Sequence, residues 1–117
     1  MKSKIAKPDK SKSITIGDGS PITATIGDNV TALPNTSVTV VCSVTGVPRP
    51  IISWTKDGQP IVLTHNVLIT EDGKLLTLRS VEVKDKGLYT CTAKNSIGTD
   101  SVDTQIDIKG EPQHVVL

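Results

Sequence analysis

The sequence predicts an all-β fold of short strands. Three observations carry that prediction. The core has to be built from Val, Ile and Leu, which suit a pleated, half-buried surface, because Trp54 and Tyr89 are the only aromatic residues and Phe is absent. Apolar and polar residues alternate over residues 37–45 and 99–108, the period of two of a strand with one buried face. Seven Pro and nine Gly are scattered along the 117 residues and punctuate the chain into many turns. That length suits one domain of ordinary size.

A set of spaced residues narrows the fold class. Cys42 is followed after eleven residues by Trp54, and Cys91 comes after thirty-six more. The run Asp85-Lys86-Gly87-Leu88-Tyr89-Thr90-Cys91 puts a tyrosine two residues before the second cysteine. Gly46-Val47-Pro48-Arg49-Pro50 precedes the tryptophan, and Trp54-Thr55-Lys56-Asp57-Gly58 follows from it. Leu76-Thr77-Leu78 with Val81, and Ala93-Lys94-Asn95-Ser96-Ile97-Gly98, complete the set. Over about residues 22–109 it resembles the intermediate, or I-set, type of immunoglobulin domain. The resemblance implies an immunoglobulin-like β-sandwich of two antiparallel sheets. It also implies a Cys42–Cys91 disulfide, with Trp54 packed against it and Leu78 in the core. Tyr89 would turn inward, its hydroxyl bonded to backbone a few residues upstream. A bridge closing so long a loop typically contributes about 2–5 kcal/mol to a small secreted domain.

The elements follow in order. Residues 1–13 carry five Lys and one Asp and little apolar surface, so they are expected to be a disordered basic linker or tail. The folded domain is expected to span 14–109, with 110–117 leading into a following domain. Thr-Ile-Gly-Asp occurs twice, at 15–18 and 25–28, and reads as a first strand that frays, broken by Gly17, Gly19, Pro21 and Gly27. Strands are expected at 22–26 and 30–33. Residues 37–45 form the next, with Val38, Val40, Cys42 and Val44 inward. Pro48 and Pro50 hold the following loop extended. Residues 51–56 turn Ile52 and Trp54 inward and end at Asp57-Gly58, a strong hairpin signal. Short strands at 59–63 and 66–70 precede the Asp72-Gly73 turn. Residues 75–79 bury Leu76 and Leu78, and 81–86 make a turn. Strands at 87–95 and 99–108 close the fold, the last with Val102, Ile106 and Ile108 inward.

Composition and motifs restrict function. Net charge is +1, divided into +4 over residues 1–13 and −3 over the rest, so the folded part is mildly acidic and argues against a nucleic-acid partner. No apolar run approaches the ~20 residues of a membrane span, so no membrane insertion is expected. The Lys-rich start lacks the apolar stretch of a signal peptide, and the chain reads as a fragment of a larger secreted protein. His65 and His114 join no recognisable motif, and no nucleophile elbow, phosphate loop or zinc-protease helix is present. Neither catalytic residues nor a cofactor are expected. No metal is expected either: cysteines 49 apart do not suit zinc, and the aspartates lack calcium-loop spacing.

The remaining candidates concern contact with other molecules. Asn29-Val30-Thr31 and Asn35-Thr36-Ser37 both satisfy the N-glycosylation rule, and glycan there would crowd the side of the sandwich opposite a binding face. Asp103, Gln105 and Asp107 form an outward polar row on the last strand. That row either discourages edge pairing or meets a basic partner. Arg49 stands between two prolines at a loop tip, a candidate contact because Arg is enriched in binding hot spots. The resulting expectation is a non-enzymatic protein–protein interaction or spacer module of an extracellular matrix or cell-adhesion protein. Its partners would be another protein and the neighbouring domains of its own chain. The alternative is an intracellular muscle-filament immunoglobulin domain acting as a mechanical spacer.

Overall fold

The alternating stretches become strands, and glycine, proline and aspartate mark the turns between them. A computed structural model describes residues 1–109; the lead into a following domain expected at 110–117, and His114, lie outside the described residues. The strands are β1 (Lys4–Ile5), β2 (Ser13–Thr15), β3 (Ile22–Thr25), β4 (Asn29–Ala32), β5 (Val38–Val41), β6 (Val44–Thr45), β7 (Ile51–Lys56), β8 (Gln59–Pro60), β9 (Val67–Ile69), β10 (Leu75–Leu78), β11 (Gly87–Lys94) and β12 (Thr99–Ile108). Among the described residues a single 3-10 turn, Val83–Asp85, leads into β11. One layer is the four-stranded sheet β3-β5-β10-β9, the other the six-stranded sheet β2-β4-β12-β11-β7-β8. Strands β1 and β6 form a separate antiparallel pair. Both sheets are antiparallel through their centres. Three joins at the N-terminal side run parallel: β3 on β5, β4 on β12 and β2 on β4.

The two inner faces meet over Val38, Val40, Leu76, Leu78, Ile106 and Ile108, with the Cys42–Cys91 bridge between them. The bridge has its Cα atoms 6.6 Å apart, within the span a disulfide can close. Trp54 is buried and its indole N–H donates to the Gly73 carbonyl at 2.7 Å, so its one polar atom is satisfied. That contact needs a glycine: Gly73 has φ +80°, and a Cβ there would stand 2.9 Å from Cβ of Ile52. The Tyr89 hydroxyl donates to the Asp85 carbonyl at 2.6 Å, four residues upstream. Asp85 fixes that corner in turn, its carboxylate accepting from the Glu82 N–H at 2.8 Å. Burial, and behind it the charges of Asp85 and Asp57, pushes the Tyr89 phenol well above its ordinary range. At the β7–β8 hairpin Asp57 and Gly58 both have positive φ, 50° and 81°, as a two-residue type I′ turn requires.

Residues 1–13 differ from the disordered tail expected of them. Ile5 is 1% exposed and belongs to the core cluster, and Ser3 is buried beside it. The Ile5 N–H donates to the Asp100 carboxylate at 2.8 Å, and the Ala6 N–H to the Ser43 carbonyl at 2.8 Å. Farther along, the buried Asp28 carboxylate accepts the Lys12 N–H at 3.0 Å, and β2 lies along the outer side of β4. One isoleucine and the backbone bonds of the segment to the sandwich hold what its composition would leave free. The two Thr-Ile-Gly-Asp copies also differ from a single fraying strand. The first ends β2 and the second ends β3, and each turns the chain. The strand expected at 59–63 is shorter, only Gln59–Pro60, and Val44 is half-buried, not fully inward.

Candidate interaction surface

The outer face of the six-stranded sheet is built by the residues that alternate with the core. Along β11 the inward Tyr89, Cys91 and Ala93 leave Leu88, Thr90, Thr92 and Lys94 pointing out. Strand β7 pairs with it so that Ile51 lies beside Lys94, Ser53 beside Thr92 and Thr55 beside Thr90. On the other side β12 sets Thr99 beside Lys94, Ser101 beside Thr92, Asp103 beside Thr90 and Gln105 beside Leu88. The middle of the face is therefore small and hydroxylated. Its hydroxyls bond to one another: Thr92 and Ser101 at 3.0 Å, Thr90 to the Asp103 carboxylate at 2.6 Å. These bonds fix short side chains in a flat layer.

The two ends of the face differ. At one end Asp103, Gln105 and Asp107 stand together around Leu88, which is 39% exposed. Lys86 lies 4.0 Å from Asp107 and neutralises part of that end. At the other end a shallow groove runs between Arg49 and Lys94, floored by Pro48, Ile51, Ser53 and Thr92. Ile51 is 77% exposed, and the loop residues Val47 and Ile97 are open to solvent nearby. Arg49 also lines a second hollow with Thr70, Glu71 and Asp72, round the edge of the sheet. The Lys74 N–H and the Thr70 hydroxyl hold the Asp72 carboxyl below its usual range, with a smaller pull from Lys74 and Arg49. The structure thus separates two sets of candidates, placing Arg49 and the polar row at opposite ends of one face.

Asn29 stands elsewhere than the expected arrangement had it. It opens β4, which belongs to the same six-stranded sheet and runs beside β12, with Val30 opposite Ile106 and Thr31 opposite Asp107. Since Val30 points inward, Asn29 and Thr31 face outward on the side of the polar row. Asn29 therefore neighbours that row and does not guard the far side of the sandwich. Asn35 is exposed in the turn from β4 to β5, with φ 69°. The apolar groove was not legible as a unit, because Pro48, Ile51, Thr92 and Lys94 meet only through the pairing of β7 with β11. Among the described residues no group of three or more His, Cys, Asp or Glu could hold a metal ion, and no helix is long and apolar enough to cross a membrane.

Comparison with known proteins agrees with this architecture. The family model described as "Immunoglobulin I-set domain" matches residues 21–114. Vascular endothelial growth factor receptor 2 of Danio rerio is 40% identical over 74 residues, 63% of this chain and 6% of the relative. Hemicentin-2 of Mus musculus is 39% identical over 84 residues, 71% of this chain and 2% of the relative. ADAMTS-like protein 1 of Homo sapiens is 36% identical over 94 residues, 80% of this chain and 5% of the relative. The chain thus spans only a small part of the length of these relatives. Among solved structures, titin domain M7 is similar with a TM-score of 0.68 at 27% identity, covering 94% of this chain and 98% of that one. The titin domains A168–A170 give 0.70 at 25% identity, covering 92% and 34%. The matched span, the cross-bridged two-layer sandwich, the buried Trp54 and the Tyr89 corner agree, and the chain belongs to the I-set immunoglobulin family.

Proposed function

We propose that this domain is a non-enzymatic interaction or spacer module of a secreted or cell-surface multidomain protein of the matrix or adhesion kind. The observation that carries the reading is the Cys42–Cys91 bridge between the two sheets, since such bridges form and persist in oxidising, extracellular compartments. The match to hemicentin-2 and ADAMTS-like protein 1 over most of this chain supports it. Asn29 and Asn35, both exposed in sequons, are proposed glycosylation sites in that setting. The rival reading is an intracellular filament spacer. The likeness to titin M7 favours it, and a reduced Cys42–Cys91 pair would distinguish it.

Binding would use the outer face of β7, β11 and β12, with the polar row and Arg49 acting differently. The domain is immobilised, a partner is captured from a cell-surface or matrix extract, and the purified partner is followed kinetically. Asp103→Lys with Asp107→Lys is expected to slow association and weaken its salt dependence more than it changes dissociation. Arg49→Ala is expected to speed dissociation about tenfold, a cost of ~1.4 kcal/mol. A partner indifferent to all three substitutions, and lost on substitution beside Asn35, would place binding on another surface.

A further inference from the structure

The outer face carries a charge and shape pattern that is complementary to itself. One end presents the cations Arg49 and Lys94 on either side of a shallow apolar groove. The other presents Asp103 and Asp107 around the exposed Leu88. Between them lie only short hydroxyl side chains, Ser53, Thr55, Thr90, Thr92 and Ser101, of which Thr92 bonds Ser101 and Thr90 bonds Asp103, and no bulky residue prevents close approach. The ends are far enough apart to act separately: the Lys94 and Leu88 rows, six positions apart along β11, are separated by roughly 20 Å.

We propose that the domain binds a second copy of itself, face to face, through β7, β11 and β12 with the strands of the two copies reversed. The proposal deepens the binding role given above by naming its partner. A two-fold axis across the strands, passing between the Thr90 and Thr92 rows, lays the Lys94 row of each copy over the Leu88 row of the other. Leu88 then enters the groove beside Ile51. Lys94 comes over Leu88 beside Gln105, within reach of Asp103 across the diagonal, and Arg49 comes over the Asp57-Gly58 hairpin that ends β7. Each contact is made twice, as a two-fold interface requires. Lys86 already engages Asp107, so Asp103 is the main anionic contact. Three strands of this length present roughly 400 Å² per copy, about half of the ~800 Å² of a standard interface, so the dimer is weak and transient. Asn29 stands beside the polar row, so glycan there would hinder it.

Sedimentation velocity of the full chain over roughly 10 μM to 1 mM, the range that reads a weak association of about −4 to −7 kcal/mol, tests the proposal. The weight-average sedimentation coefficient is expected to rise with concentration, less so at high salt. Lys94→Glu alone and Asp103→Lys alone should each weaken association about tenfold or more. Both substitutions in one chain should restore it, and so should an equal mixture of the two single variants. Leu88→Ser, with no charge change, should weaken it too and guards against a charge variant that misfolds. A chain monomeric throughout overturns self-association while leaving the wider binding role to the capture experiment. A dimer indifferent to the reversals, or one the combined substitution does not restore, overturns the proposed face.

Discussion

Ile5→Ala tests the least expected contact of the fold. Ile5 is 1% exposed, and truncating a buried isoleucine to alanine typically costs about 2–5 kcal/mol. The full cost is not available here, because the segment before β2 can detach by itself while the sandwich stays folded. The loss is therefore capped by the free energy that docks the segment. Docking gains the buried isoleucine, worth about 1.5–3 kcal/mol. It also gains the Ile5 bond to the Asp100 carboxylate, about 1.5–3 kcal/mol, and the Ala6 bond to Ser43, about 0.5–1.5 kcal/mol. Ordering the backbone of the segment opposes these gains, so its docking is marginal. The expected loss for Ile5→Ala is therefore about 1–2 kcal/mol, below the usual range for a core isoleucine. For a domain of this size that is a fall in Tm of roughly 4–10 °C. Deleting residues 1–6 should cost at least as much as the point substitution. Thermal melting with amide exchange at Ile5 and Ala6 measures both. If substitution and deletion leave Tm within about 1 °C of the parent, and the Ile5 amide exchanges as in an unfolded chain, the segment is not docked.

Two further outcomes follow from the core. Trp54→Ala removes the largest inward side chain and orphans the Gly73 carbonyl, and should cost about 3–5 kcal/mol by chemical denaturation; a melt within a few degrees of the parent would mean the core is assembled otherwise. Tyr89 is the only tyrosine, and its folded-state pKa is raised mainly by burial. The stability it contributes is thus complete below the unfolded value of about 10 and is lost as pH climbs from there towards the folded value. Phenolate absorbance should appear only with unfolding, and Tyr89→Phe should flatten the alkaline fall in stability. Titration of the phenol near pH 10 in the folded domain would contradict its burial.

The strands with regular alternation were legible from sequence. Ile51–Lys56 and Thr99–Ile108 have the bounds that their pattern sets, because a half-buried strand must alternate. The N-terminal segment was not legible, and the reason is physical. One isoleucine among lysines has no period, and its burial depends on Asp100 and Ser43, far away in the chain. The parallel run of β3 on β5 was hidden for the same reason, since Thr-Ile-Gly-Asp marks a turn but not the direction in which the next strand returns. The interaction face was partly legible. Asp103, Gln105 and Asp107 follow from alternation along one strand. The groove between Arg49 and Lys94 exists only where β7 and β11 pair, and the neighbouring position of Asn29 follows from the parallel join of β4 to β12.

The proposed extracellular role rests most directly on the state of Cys42 and Cys91 in the protein from its natural source. Material extracted under a rapid thiol-trapping agent, digested without reductant and analysed by mass spectrometry, reads that state. The account predicts no trapped thiol and a single linked pair of peptides carrying Cys42 and Cys91. Two alkylated cysteines in that material would contradict it and favour the intracellular spacer.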